Sequence, residues 1–345
     1  MNEKEITNEL PSVSIIVLTY NGKGHLKECF ESLENLNYPK DKYEVIMADN
    51  ASSDGSVEYV KKNFSSIKIL RLDKNYGYAG GNNKSVEISK GEYIAFLNND
   101  TLVDKNWLNE LIKWVIKNPE MICSSIMLDY NNKEKVAANV VKKSAFGLNI
   151  CVTAGIKYST QNLSQQYTAY PFGSGMLIRR DIFLLLGGFD SSYFMYGEDA
   201  SLGWKAWLFG YTIVTVPSSI YWHKIRASSG NGGRSPMYIY LFWRNCMVNI
   251  LKYAELQNVI KMLSLFLIVS FAASALFLIK KQFSLIFAIF NAHFSFITML
   301  PDVLKERKII QSKRKISDKK LYEKKVFMPL DDSIREMINF VRNFN

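Results

Sequence analysis

Near the start of this chain, short apolar runs alternate with stretches of helical character, and three of the runs stop on polar tips. SIIVLTY, YEVIMAD, IKILRL and EYIAFLNND are too short and too rich in branched side chains for helices. Helical stretches are expected near His25–Leu36, across Val57–Asn63, and just after the glycine- and asparagine-rich NYGYAGGNN. Strands that alternate with helices imply parallel pairing and a doubly wound α/β sheet. Ligands of such sheets sit beyond the carboxyl ends of the strands. Here the first, second and fourth strands end in TYN, ADN and NND, so polar side chains gather where a nucleotide would lie.

The common phosphate-binding loops are absent. No GxxxxGK[ST] occurs, and the first strand runs into TYNGKG rather than GxGxxG. A diphosphate bound without a glycine cradle needs its charge met in another way, and a divalent cation is the usual answer. LNND offers the carboxylate of Asp100 at a strand end for that purpose.

At 345 residues the chain has room for one large α/β domain and an appendage, and its 48% hydrophobic and 22% charged residues exclude wholesale disorder. The net charge of +11 is unevenly placed. Pro301 to Lys325 holds ten Lys/Arg against four Asp/Glu, after two uncharged apolar runs of 18 residues, Met262–Ile279 and Phe283–Leu300. As helices these runs would each reach about 27 Å, close to the hydrocarbon thickness of a bilayer. An apolar hairpin followed by cations reads as a membrane contact rather than a nucleic-acid groove. Two crossings and an interfacial hairpin both fit: Lys280 and Lys281 at the turn, and Asn291 and His293 within the second run, sit awkwardly in a span. The four cysteines show no metal or disulfide spacing, and the polar MNEKEITNELPS lacks an apolar signal core, which places the catalytic part in the cytoplasm. The expected division is a tail over 1–12, a catalytic domain over 13–253 (halves 13–105 and 106–253), apolar helices over 254–300 and a basic helical tail over 301–345.

The strings SIIVLTYN, DNASSDGS, NYGYAGGNN, LNND, GGFD…YGED and WHK stand in the order seen in family 2 glycosyltransferases. Over Ser12 to Tyr253 the chain resembles that family, and within it the rhamnosyltransferase-like branch with the GT-A fold. The resemblance implies a mixed, doubly wound sheet flanked by helices, followed here by the apolar hairpin. It also implies donor contacts from Thr19, Tyr20 and Asn21, and from Asp49, whose acceptor-only carboxylate suits the imide N–H of uracil or thymine. Asn75, Gly77, Gly80, Asn82 and Asn83 would wrap the ribose-diphosphate, joined by Asn98 and Asn99. Asp54 and Ser56 read instead as caps of the following helix.

LNND stands where the family shows Asp-x-Asp. Asp100 keeps the metal-binding position, while Asn98 replaces the first acid and weakens the set for a hard cation. By the same resemblance His223 of WHK is the second ligand of Mg2+ or Mn2+. Asp199 of YGED is the base that removes the acceptor proton, with Glu198, Gly173, Ser174, Gly175 and Trp204 on the acceptor side; Trp204 and Trp207, three apart on a helix, are equally core residues. One base and one cation imply direct displacement with inversion. Lys224 to Arg234, KIRASSGNGGR, reads as a loop that closes over the diphosphate.

The implied activity is transfer of a sugar from a nucleoside-diphosphate donor, dTDP-rhamnose or a UDP-sugar, to a saccharide or lipid-linked acceptor in cell-surface polysaccharide synthesis. Membrane lipids are the expected partner, with no nucleic acid. The competing readings are a sugar-nucleotide nucleotidyltransferase, which would need a Gly/Arg/Lys-rich triphosphate loop, and an inactive glycan-binding scaffold, which would not need Asp100, Asp199 and His223 together.

Overall fold

The computed structural model describes residues 10–159, 164–224 and 235–342. The first half runs β1 (Val13–Thr19), α1 (Lys23–Glu34), β2 (Tyr43–Asp49), α2 (Ser56–Asn63), β3 (Lys68–Arg71), α3 (Gly77–Ile88) and β4 (Tyr93–Asn98). β1 pairs in parallel with β2 and β4, and β2 with β3, as the strand–helix alternation requires. Alternation within β1 feeds two cores. Ile15 and Val17 join α1 residues Leu26, Cys29 and Phe30 on one face, while Ile16 joins Ala79 and Val86 of α3 on the other. One boundary differs from expectation: NYGYAGGNN is not a loop before α3 but supplies its first turns.

The second half contributes β5 (Thr101–Val103), α4 (Trp107–Lys117), β6 (Met121–Asp129), β7 (Val136–Ala138), β8 (Val141–Lys143), β9 (Asn149–Cys151), β10 (Gly175–Arg179), α5 (Arg180–Leu185), α6 (Glu198–Leu208) and β11 (Thr212–His223). Among the described residues nine strands make one mixed sheet, in the order β3-β2-β1-β4-β10-β6-β11-β5 with β7 beside β6. β10 is antiparallel to both its neighbours, and β5 returns antiparallel to the end of β11. β8 and β9 form a separate ribbon.

Four helices and a short turn of helix follow: α7 (Pro236–Tyr253), α8 (Leu256–Ile279), α9 (Phe283–Ser312), α10 (Asp318–Glu323) and α11 (Leu330–Arg342). α8 and α9 are long and apolar enough to cross a membrane and are mostly exposed. The polypeptide then returns to the catalytic half. Lys143 N–H donates to Val326 (3.0 Å), Met328 N–H to Lys143 (2.8 Å), and Ala145 N–H to the Ser333 hydroxyl (2.9 Å).

The basic stretch is partly spent inside the protein, which revises its reading as a membrane contact alone. Arg307 donates to the carbonyls of Leu251 (2.6 Å) and Ala254 (2.7 Å), and Gln311 to those of Lys252 (2.9 Å) and Tyr253 (3.2 Å). Arg314 also donates to Tyr253. These are the open carbonyls at the end of α7, where positive charge is favoured. Lys252, fully buried, completes the joint by bridging Asp190 (2.6 Å) and Glu306 (2.7 Å).

Candidate active site

The carboxyl ends of β1, β2 and β4 bring Thr19, Asp49 and Asn98 to one edge of the sheet, because Thr19 is opposite Asp49 and Leu18 opposite Asn98. Thr19 and Asp49 are buried, and the Thr19 hydroxyl and Asp49 Oδ1 have no hydrogen-bond partner among the described residues. A buried polar atom left open costs free energy unless a ligand fills it. Asp49 Oδ2 accepts the Ser52 N–H at 3.3 Å. Tyr20 is half exposed, and Asn21 turns the chain with φ +49°, bonded to Ser52 and Ser53. Asp54 accepts N–H groups from Lys23 (2.9 Å) and Ser56 (3.0 Å), so it fixes the starts of both α1 and α2.

Asp100 follows β4 and is 4% exposed on its side chain. The pairing of Thr101 with His223, together with the Lys224 N–H on the Asp100 carbonyl (3.0 Å), folds the end of β11 over it. His223 Nε2 then lies 3.0 Å from Asp100 Oδ1 and 3.4 Å from the Asn98 amide. Burial pushes the Asp100 carboxyl up, but the hydrogen bond and charge of His223 outweigh it and hold the group below its ordinary value. An oxygen and a nitrogen donor side by side at 3.0 Å would suit a small divalent ion. Among the described residues no three His, Cys, Asp or Glu side chains converge. Asn99 instead packs its amide over Gly22 at the start of α1.

The wrapping role expected of NYGYAGGNN is not what its groups do. Phe194 sits in a tight turn (φ 62°, ψ −61°), and its carbonyl receives the N–H groups of Tyr78 (2.7 Å) and Ala79 (3.3 Å) at the start of α3. Gly77 has φ +71°, and a Cβ there would lie 2.3 Å from that carbonyl, so the glycine serves protein packing. Gly80 lies against Tyr76. Asn82 bonds back to Tyr78 (2.9 Å), while Asn83 both donates to the Phe189 carbonyl (2.7 Å) and accepts its N–H (2.9 Å). Asn75 is held by the Asn50 amide (2.8 Å), which also accepts from Tyr76. Asn50 therefore organises the segment, a role that its place at a strand tip signals only loosely.

Glu198 and Asp199 open α6 after a strained approach through Phe194, Tyr196 and Gly197, all with positive φ. Asp199 is partly exposed and accepts backbone N–H groups from Ala200 (2.7 Å) and Gly173. Burial nonetheless lifts its pKa to about 6. Glu198 is buried with one oxygen unpartnered, and burial together with the neighbouring Asp199 charge raises it well above a carboxylate's usual range. The PFGSGML segment is the seam between the two acids. Gly173 accepts the Tyr78 hydroxyl (2.7 Å), and Ser174 bonds the Tyr221 hydroxyl (2.7 Å), against whose ring Gly175 is packed. Tyr221 feels the charges of both Asp100 and Asp199. It is two residues before His223 on the same strand face, a period-two signal that sequence reasoning passed over.

Trp204 needs correction as an acceptor contact. It is 2% exposed, wedged between Tyr253 (5.7 Å) and Phe327 (5.4 Å), with buried Lys143 4.7 Å over its ring. Trp207 is likewise core, donating to the Thr168 carbonyl at 3.0 Å. The loop expected to close over the diphosphate lies, apart from Lys224, outside the described residues.

The profile of Glycosyl transferase family 2 matches residues 14–185, half of the chain, including β1 to β4 and the Asp100 edge. The chain belongs to glycosyltransferase family 2. Among curated relatives, this family 2 chain is 34% identical over 106 residues to the glycosyltransferase AglE of Haloferax volcanii, covering 30% of this chain and 35% of that one. It is 32% identical over 106 residues to the poly(ribitol-phosphate) beta-glucosyltransferase of Bacillus spizizenii, covering 30% and 16%. The matches thus span about a third or less of those relatives' length. Among solved structures, TarS residues 1–349 of S. aureus with UDP-GlcNAc superposes with a TM-score of 0.59 at 19% identity, covering 96% of this chain and 92% of that one. The mannosyltransferase of Pyrobaculum calidifontis with GDP-Man and Mn2+ gives 0.54 at 18%, covering 86% and 76%. These likenesses establish the GT-A fold.

Proposed function

We propose that the chain is an inverting glycosyltransferase that moves a sugar from a nucleoside-diphosphate donor to an acceptor hydroxyl. The observation that carries this reading is the opposed state of two aspartates: Asp100 held ionised beside His223, and Asp199 lifted toward neutrality beside the seam of Gly173. Asp199, once ionised, takes the proton of the acceptor hydroxyl; the oxygen bonds to the anomeric carbon as the bond to the diphosphate breaks on the opposite face. Asp100 and His223 would hold Mg2+ or Mn2+, whose charge would offset that of the leaving diphosphate. Asp49 Oδ1 and Thr19 accept and orient the donor base, and the open Asp49 oxygen suits the imide N–H of uracil or thymine. Tyr20, Asn21, Asn98 and the backbone near Asn75 border the donor, while Glu198 and Ser174 border the acceptor.

The acceptor is a saccharide, lipid-linked and delivered at the cytoplasmic face of the membrane to which the apolar hairpin binds, in synthesis of a surface polysaccharide. The poly(ribitol-phosphate) relative and the exposed hairpin support that reading. The donor is dTDP-rhamnose or a UDP-sugar. Hydrolysis of UDP-, dTDP- and GDP-sugars by the full chain, with Mg2+ or Mn2+, tests it. Turnover of one donor, lost in D199N and D100A, is expected; no turnover of any donor with any acceptor extract would defeat the enzyme reading.

A further inference from the structure

α9 carries two exposed ridges side by side. Phe283, Phe287, Phe290, Phe294 and Ile297 recur at steps of four and three and stand more than half exposed. Ser284, Asn291, Thr298, Lys305 and Ser312 recur every seven residues and are exposed as well. Ser284, Asn291 and Thr298 of this row fall within the apolar run and Lys305 and Ser312 beyond it, so the row suits a helix at the interface without excluding a span.

The packing of α9 decides between the two. Leu285, Ala288 and Ile289 pack with Ile239, Tyr240 bonds Ser295 (3.0 Å), and Arg307 reaches Leu251, so α9 follows α7 in the same direction along its length. α7 in turn grips the segment before the catalytic acids. Asn245 donates to the Tyr196 carbonyl (2.6 Å), Asn249 accepts from the Tyr193 hydroxyl (2.9 Å), and buried Arg244 reaches the carbonyls of Ser192 and Tyr193 (3.3 Å each). Tyr196 of that segment lies 4.9 Å from Tyr238, beside the middle of the apolar run, so an upright α9 would draw the catalytic turn into hydrocarbon. Irregular backbone such as this turn is not found facing lipid at that depth.

We propose that the hairpin does not cross the membrane: α8 and α9 lie in the plane of one leaflet, the aromatic ridge dipping into it. This rests on the membrane reading given above. The occupant of the ridge is a bilayer bearing anionic lipid, for two reasons. The apolar windows of both helices are free of charge, and exposed cations stand at both ends of α9, Lys280 and Lys281 before it and Lys305 and Lys308 within its last turns.

The test uses the full chain carrying C151S, since Cys29, Cys123 and Cys246 are buried. Q282C at the hairpin turn and K319C after α9 are probed with a membrane-impermeant maleimide in sealed right-side-out and inverted membranes. Labelling of both from the same face is expected; labelling of Q282C from the opposite face, or from neither face, overturns the in-plane arrangement. N291K should remain membrane-bound, and its loss from membranes would overturn the proposal too. The triple variant F287E/F290E/F294E should bind phosphatidylcholine–phosphatidylglycerol vesicles at least tenfold more weakly, and unchanged binding counts against the ridge. If the unmodified chain fails to float with those vesicles, the membrane reading itself falls, separately from the orientation.

Discussion

Asp100 and Asp199 are the same side chain in two kinds of surroundings, and the contrast supports the different work proposed for them. Both are taken largely out of water, which alone would raise both. Asp100 has an imidazole at 3.0 Å and stays low. Asp199 has backbone N–H groups and the charge of Lys143 to lower it, too little against burial, and it rises to about 6. A permanently charged oxygen suits a cation; a carboxylate poised near neutrality suits proton transfer. The PFGSGML segment links them: Gly173 donates to Asp199, and Ser174 bonds Tyr221, which feels both charges.

The strongest way to break this contrast is D199N, which keeps the shape and removes the basic oxygen. Turnover should fall by about a thousandfold or more with donor binding unchanged, and single-turnover kinetics with the true acceptor would expose a misassigned base if activity survives. D100N should cost about a hundredfold and raise the cation concentration needed for half-maximal rate; equal cation dependence in both proteins would remove Asp100 from the metal site. The pH profile of kcat/KM sharpens the comparison next. Because the base works when ionised and its pKa is raised, the rate should climb about tenfold per unit below pH 6 and level off above. E198Q should leave that limb in place, because burial and the neighbouring Asp199 charge favour the neutral form of Glu198; a shifted midpoint would mean the two share the charge. The smallest effect is expected of N98D, a gain of about three- to tenfold in cation affinity from a second acid, read by titrating Mn2+ against rate.

Much of the fold was legible because strand tips and helices of the first half are local in sequence. TYN, ADN and NND do converge at one edge, and Asp100 does meet His223 across 123 residues. Legibility failed where a side chain's partner is distant and unremarkable in type. The glycines and asparagines of NYGYAGGNN look like a ligand cradle, yet their partners are Phe194, Phe189 and Asn50. Trp204 looks equally available to a sugar or a core until Tyr253 and Phe327 are placed on it. The division drawn at Tyr253 likewise gives no hint that Arg307, Gln311 and Arg314 come back to close α7.

That return sets an order of events during synthesis. Val326, Met328 and Ser333 complete hydrogen bonds of Lys143 and Ala145, residues made long before them. The acceptor half therefore cannot finish assembling until both apolar helices have left the ribosome. A nascent chain halted at Tyr253 would hold α7 with its last carbonyls open and Lys143 and Ala145 without their partners, waiting for a segment that emerges only after both apolar helices.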